Sequence, residues 1–246
     1  MNCCRLPVAA LLVILGCLQI PAAHAELEVA LYSGEAYVPD ADVDYSRTET
    51  ELTLHDVSWE TRSFESPIYY GVRLNYWTQW NRRVGLSLDF AHSKIYAEAG
   101  ETVRVTGFRE GVAVDAEEPL ANTLQSFNNS HGLNLLTLNI LYRWSPDSAR
   151  ATNGSWRLQP YIGVGGGVAY PRVEARVDGR ETSEYQLAGP AVQAQAGLRY
   201  GLTDRLGLFT EYKYNRAWLD ESLNGGGSLE LEPHVHQFVF GVAYTF

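Results

Sequence analysis

Apolar residues fall on every second position in eight segments, near residues 26–37, 67–78, 83–96, 131–144, 157–170, 190–201, 205–217 and 234–246. A period of two marks a strand with one apolar face. The last segment is the clearest. Phe238, Phe240, Val242, Tyr244 and Phe246 make one stripe, while Gln237, Gly241, Ala243 and Thr245 make a small or polar one, broken only by Val239. A strand that must match hydrocarbon down to the interface has this form. Other segments repeat it, with Tyr70, Val72, Leu74 and Tyr76, then Val84, Leu86, Leu88 and Phe90, then Leu136, Leu138, Ile140 and Tyr142. Aromatic residues end many stripes, at the level of lipid headgroups. The pattern predicts an all-β fold, an eight-stranded antiparallel up-and-down transmembrane β-barrel with long external loops and a side-chain-filled lumen. No stretch is long and apolar enough for a helical span.

The connections alternate in length. Residues 38–66, 97–130, 171–189 and 218–233 are long, and 79–82, 145–156 and 202–204 are short. Short periplasmic turns and long external loops are the outer-membrane arrangement, with both termini in the periplasm. Charge sorts the same way. The long connections hold 22 of the 29 acidic residues against 7 basic ones, whereas Arg82, Arg83, Arg150, Arg157 and Arg205 sit in or beside the short turns. The overall charge of −10 argues against nucleic acid as a partner. Gly225-Gly226-Gly227 precedes no helix and reads as a flexible loop tip.

Residues 1–25 read as a cleaved signal peptide, leaving one outer-membrane barrel domain over 26–246. Arg5 is the basic region, Val8 to Ile20 the apolar core, and Ala23-His24-Ala25 the cleavage site. A lipoprotein signal at Cys17 is disfavoured by the bulky Leu15. All three cysteines (Cys3, Cys4 and Cys17) lie here, so the exported chain has no disulfide or thiol chemistry.

Eight strands enclose a lumen that side chains fill, which argues against a general diffusion pore. Inward positions include Asn75, Asn139, Gln193 and Gln195, and a lumen ion network is expected from Arg73, Asp89, Arg143, Arg199, Glu211 and Lys213. Counting from the strand ends puts Arg73 level with Asp89, and Gln195 level with Glu211. Unpaired charge in such a space is costly, so these groups should pair; the alternative is that Glu211 or Asp89 works as an acid or base. Gly163, Gly165 and Gly167 form an inward row. They either make room for Tyr or Arg from the opposite wall or floor a small pocket.

Five histidines, His55, His92, His131, His234 and His236, are expected in external loops or at external strand ends, where imidazoles can meet metal, phosphate or an ionisable ligand. The weak catalytic candidates are His131 and Glu211, both expected inward, with His92 nearby; the alternative for the histidines is interfacial packing. Asp40, Asp42, Asp44 and Glu51 mimic part of a calcium loop, but Tyr45 stands where glycine is required and no helices flank it. Looser divalent-cation bridging between acidic loops and lipid phosphates is the other reading.

PYIGVGGGVAY (160–170), AGLRYGLTDRLGLFTEYKY (196–214) and GVAYTF (241–246) resemble the eight-stranded outer-membrane barrel superfamily of the OmpA transmembrane domain and the opacity proteins. That resemblance implies a Gram-negative outer-membrane location, lipid and lipopolysaccharide as surroundings, and a barrel assembly machinery that recognises Phe246 and Tyr244. PIYYGVRLNYW (67–77), HGLNLLTLNILYRW (131–144), EYQLAGPA (184–191) and LNGGGSLEL (223–231) are similar to rhizobial lipid A oxidase. This narrower likeness implies oxygen-dependent oxidation of the proximal glucosamine of lipid A, with dioxygen as the oxidant or a divalent cation as a cofactor. The expectations are thus a structural or surface-interaction role, lipid A modification, or loop-mediated adhesion.

Overall fold

The computed structural model describes residues 26–129, 131–144 and 158–246. The expected signal peptide over residues 1–25, and Arg150 and Arg157, lie outside these residues.

Eight strands close into a barrel: β1 (Glu26–Tyr37), β2 (Tyr70–Trp77), β3 (Val84–His92), β4 (Leu135–Arg143), β5 (Leu158–Ala169), β6 (Gly189–Gly201), β7 (Leu206–Ala217) and β8 (His234–Thr245). Every strand pairs antiparallel with its chain neighbours, and β1 closes the ring on β8 from Glu28↔Thr245 to Tyr37↔His236. Each predicted segment holds one barrel strand. β2 and β4 begin late and β3 ends early, because residues 67–69, 93–96 and 131–134 belong to the region beyond the barrel.

The wall reverses the usual soluble arrangement. Outward Leu138, Ile140, Phe238 and Phe240 are each about 60% exposed or more, while inward Arg73, Asp89, Glu211 and Lys213 are buried. The eight strands hydrogen-bond in a closed ring with no open edge, which hydrocarbon requires of a spanning sheet. The chain is therefore a transmembrane barrel. Phe246 seals the seam: its N–H donates to Leu27 O at 2.9 Å, and its ring meets Tyr244 edge-on at 5.0 Å.

The long connections are not loops but strands that build a head on one end of the barrel. One sheet runs, in spatial order, through Leu219–Ser222, Ser228–Leu231, Ala41–Arg47, Thr50–Val57, Thr102–Arg109 and Val112–Pro119. The other runs through Arg180–Tyr185, Arg172–Val177, Leu124–Asn128, Tyr96–Ala97 and Trp59–Glu60. Val43, Leu54, Ile95, Val105, Leu124, Phe127 and Leu229 form their core, continuous with Leu135, Ala169, Ala217 and Val235 at the barrel mouth. Full burial of such side chains is worth about 1.5–3 kcal/mol each, so the head is held by its own core.

Two stretches singled out in the sequence lie in this head. Gly225, Gly226 and Gly227 all have positive φ (84°, 94° and 98°) and form the tip of the hairpin between Leu219–Ser222 and Ser228–Leu231. Asp42 and Asp44 lie on one exposed face of strand Ala41–Arg47, and Glu51 sits on the next strand. An extended strand cannot wrap a cation as a calcium loop does. Asp42 instead accepts Asp56 N–H at 2.9 Å, and Asp44 accepts the Thr53 hydroxyl at 2.6 Å. Asp40, Asp42, Asp44 and Glu51 thus do not take the wrapped shape of a calcium loop, and among the described residues no cluster of three or more His, Cys, Asp or Glu side chains is arranged to hold a metal.

Candidate functional site

The barrel axis is occupied by charge. Arg73, pointing in from β2, donates from Nη2 and Nη1 to the two oxygens of Glu211 on β7 at 2.6 and 2.8 Å, and from Nη2 to Asp89 on β3 at 3.1 Å. Lys213 Nζ approaches Asp89 at 2.6 Å. Tyr32 and Tyr161 complete the shell, donating to Asp89 and Glu211 at 2.6 and 2.8 Å. Nearer the short turns, Arg143 forks onto Glu26 at 2.7 and 3.0 Å while lying 4.0 Å from the Trp77 ring centroid, and Arg199 meets Glu28 at 2.8 Å. Both Glu211 oxygens are engaged, so no free carboxylate faces a substrate there.

Arg73 faces Asp89 across β2 and β3. Gln195, however, faces Lys213, and Glu211 faces Gly197, two residues away from the match expected by height. Tyr161 fills this space: its ring occupies the place a Gly197 side chain would take, and its hydroxyl reaches Glu211. The glycine row on β5 is likewise set by neighbouring strands rather than the opposite wall. A side chain at Gly163 would meet Leu141 and Gln195, and one at Gly165 or Gly167 would meet β4 backbone.

A second site lies on the outside, where the head meets the barrel. His92 ends β3 and is only 5% exposed. Its Nδ1 is 2.8 Å from Asn134 Oδ1. Asn134 Nδ2 donates to the carbonyls of His131 and Tyr170 at 3.3 and 3.1 Å, which fixes Oδ1 as the acceptor and puts the ring proton on Nδ1. Nε2 of the neutral ring is then a buried acceptor with no partner among the described residues. The ring stacks on Tyr70 at 4.8 Å. Gly132, at φ 99°, packs so closely that a Cβ there would collide with the imidazole. His131 is half-exposed, its Nδ1 3.3 Å from Glu174, which also meets Arg172 at 3.4 Å. Tyr170 and Tyr185 stack at 5.7 Å. Tyr70, Phe90, His92, His131, Tyr170 and Tyr185 line a cleft of about 300 Å³.

His131 is therefore not inward. Left-handed residues at Gly132 and Asn134 turn the chain out of the barrel wall before β4 begins. His131 and His92 share the rim cleft, whereas Glu211 sits in the lumen, so the three catalytic candidates do not converge. The remaining histidines are dispersed. His55 lies in the head between Asp42 and Thr106, at 3.3 and 2.8 Å. His234 and His236 pair with the hydroxyls of Tyr214 and Tyr212, at 2.7 and 2.6 Å, as interfacial side chains. The sequence reading missed Asn134, Tyr170 and Tyr185. The Gly132–Asn134 turn pair before an alternating segment is the signal that marks this corner.

No family model matches the chain, and no curated protein matches it. Solved structures do. Neisserial surface protein A is 11% identical, with 91% of this chain and 98% of that chain covered at a TM-score of 0.44. Ail, the attachment invasion locus protein of Yersinia pestis, is 14% identical, covering 91% and 100% at 0.39. The N-terminal β-barrel domain of Pseudomonas aeruginosa OprF is 14% identical, covering 90% and 97% at 0.38. Identities and scores this low assign no activity.

Proposed function

We propose that this protein is an outer-membrane barrel that displays a folded acidic head at the cell surface and serves a structural or surface-interaction role rather than general diffusion. The observation that carries this reading is the pairing of a lumen closed by the Arg73–Asp89–Glu211–Lys213 network with a head that has its own buried core. Export by residues 1–25 and insertion by an assembly machinery that reads Tyr244 and Phe246 belong to the same proposal. Two measurements test it. An epitope placed in the Gly225–Gly227 turn should be labelled on intact cells, and the refolded protein should give no porin-like conductance steps in planar bilayers. An epitope reachable only from the periplasmic side, or sustained open-channel steps, would overturn it.

A second reading, modification of lipid A, is favoured by the meeting of His92 and His131 in a cleft walled by Tyr70 and Phe90, which continue the apolar belt. A lipid headgroup in the outer leaflet has direct access to such a cleft. In the overall chemistry a proximal glucosamine with a free anomeric hydroxyl loses two electrons and two protons, one from the anomeric C–H and one from that hydroxyl, to dioxygen, giving a lactone and hydrogen peroxide. Water then opens the lactone to the aminogluconate, a net gain of one oxygen. The reactive groups belong to the cleft, so His131→Ala and His92→Asn should remove the activity and Glu211→Gln should spare it. Mass spectrometry of lipid A from cells with and without the folded protein, grown in air, decides. An unchanged mass removes this reading and leaves the surface role.

A further inference from the structure

Glu221 lies on head strand Leu219–Ser222, opposite Leu229, and has no solvent exposure. Its hydrogen-bond partner is Asn129 Nδ2, which donates to Oε1 at 3.2 Å across 92 residues of chain. Glu221 Oε2 and Asn129 Oδ1 are both buried and have no partner among the described residues. The Asn129 bond by itself favours the carboxylate, but burial outweighs it: with the carboxyl ionised, both atoms are acceptors with nothing to accept from, and a negative charge sits in an apolar core, which opening to water relieves. With a proton on Oε2, one of them becomes a donor and the charge is gone. No charged side chain among the described residues acts on Glu221. On its own strand Asp220, and on the paired strand Glu230, alternate to the exposed face.

Asn129 belongs to the segment that shapes the rim cleft. Its N–H donates to Ile95 O and its carbonyl accepts Gly132 N–H, both at 2.9 Å. Leu133 N–H donates to Ser93 O at 2.6 Å. Gly132 packs on the His92 ring, Asn134 fixes that ring's tautomer, and His131 lines the cleft. We propose that Glu221 and Asn129 form a proton-dependent clasp between the head and this segment, closed when Glu221 is neutral and released when it ionises. Release frees Asn129 and loosens the support of His92 and His131. The consequence for lipid chemistry rests on the rim-cleft reading; the clasp does not. Burial pushes the Glu221 carboxyl up to about 8, so release falls in the mildly alkaline range.

The test is hydrogen exchange on the full refolded chain in lipid nanodiscs, at about one and a half pH units either side of the Glu221 midpoint, with rates corrected for intrinsic exchange. The expected result is that the Gly132 and Leu133 amides lose protection by about tenfold or more at the higher pH in the wild type. In Glu221→Gln, which keeps the Asn129 contact and has no proton to lose, protection should not change. No loss in the wild type, or the same loss in the variant, overturns the proposal. Should Glu221→Gln fail to fold, the infrared carboxyl stretch of the wild type reads the proton directly. A neutral-acid band lost with a midpoint near 8 supports the clasp, and carboxylate at every pH overturns it. Because no lipid substrate enters either measurement, a failed clasp and a failed lipid A reading are distinguishable.

Discussion

Replacing Arg73 with methionine isolates the lumen charge from its packing. Methionine is long and apolar, so little cavity is left, but both bonds to Glu211, the bond to Asp89 and a 3.2 Å bond to Gln195 disappear. The core of the network then holds Lys213 against two carboxylates. Asp89 retains Lys213, Tyr32 and Gln193; Glu211 retains only Tyr161. Removing one partner of a buried ion pair costs about 3–5 kcal/mol, because the other charge is left uncompensated. If that residual charge is the cause, Arg73→Met combined with Glu211→Gln should recover at least about half of the loss, a coupling that a double-mutant cycle measures. Urea unfolding in lipid vesicles, followed by tryptophan fluorescence and by the mobility of unheated protein on gels, gives the energies. A loss under about 1 kcal/mol for Arg73→Met, or a double variant less stable than the single one, would refute the reasoning.

Gly132→Ala should destabilise the rim, by about 1–2 kcal/mol, since it forces a left-handed backbone and a collision with His92; it is read as lost protection of the Leu133 amide with the barrel intact. Glu221 binds its proton more tightly in the folded head than when unfolded. Its contribution to stability is therefore full below its ordinary value of 4.5 and is lost as pH rises to about 8, by up to roughly 5 kcal/mol. The urea midpoint of head unfolding should follow that slope, and Glu221→Gln should flatten it. Phe246→Ser should lower the amount of folded barrel in cell membranes while sparing refolding in detergent, as pulse-labelling and unheated gels would show. His131→Ala should leave heat-modifiability unchanged, because the side chain is outside the barrel and half-exposed.

The barrel was legible because lipid imposes one rule on every strand: Phe238, Phe240 and Val242 must face out, and Gln237 and Val239 must not. Length and period then found all eight strands to within a few residues. The head was not legible, although its strands alternate too. In Ala41–Arg47 the buried residues are Val43 and Tyr45, flanked by Asp42 and Asp44. In Thr50–Val57 they include Leu52 and Leu54. Their exposed faces carry the acids, and read as charge totals these segments look like solvated loops. One lumen pair followed from strand register, since Arg73 and Asp89 are direct neighbours; Gln195 and Glu211 did not, and Arg73–Glu211 and Lys213–Asp89 cross the lumen between strands that do not pair. The rim cleft did not, because it joins residues from β2, β3, the Asn134 corner and a head strand that no periodicity relates.

Strand Ser228–Leu231, which leads into β8, pairs with Ala41–Arg47, which follows β1, through Leu231↔Val43 and Ser228↔Ser46. The first and last turns of the chain are thus stitched together twice, once within the membrane and again above it. A seam that carries such a second row of stitches has both rows of hydrogen bonds to break before its first and last strands can part sideways. The upper row draws on residues 228–231 and the lower on residues 236–245, so each joins a strand made early to one made more than 180 residues later.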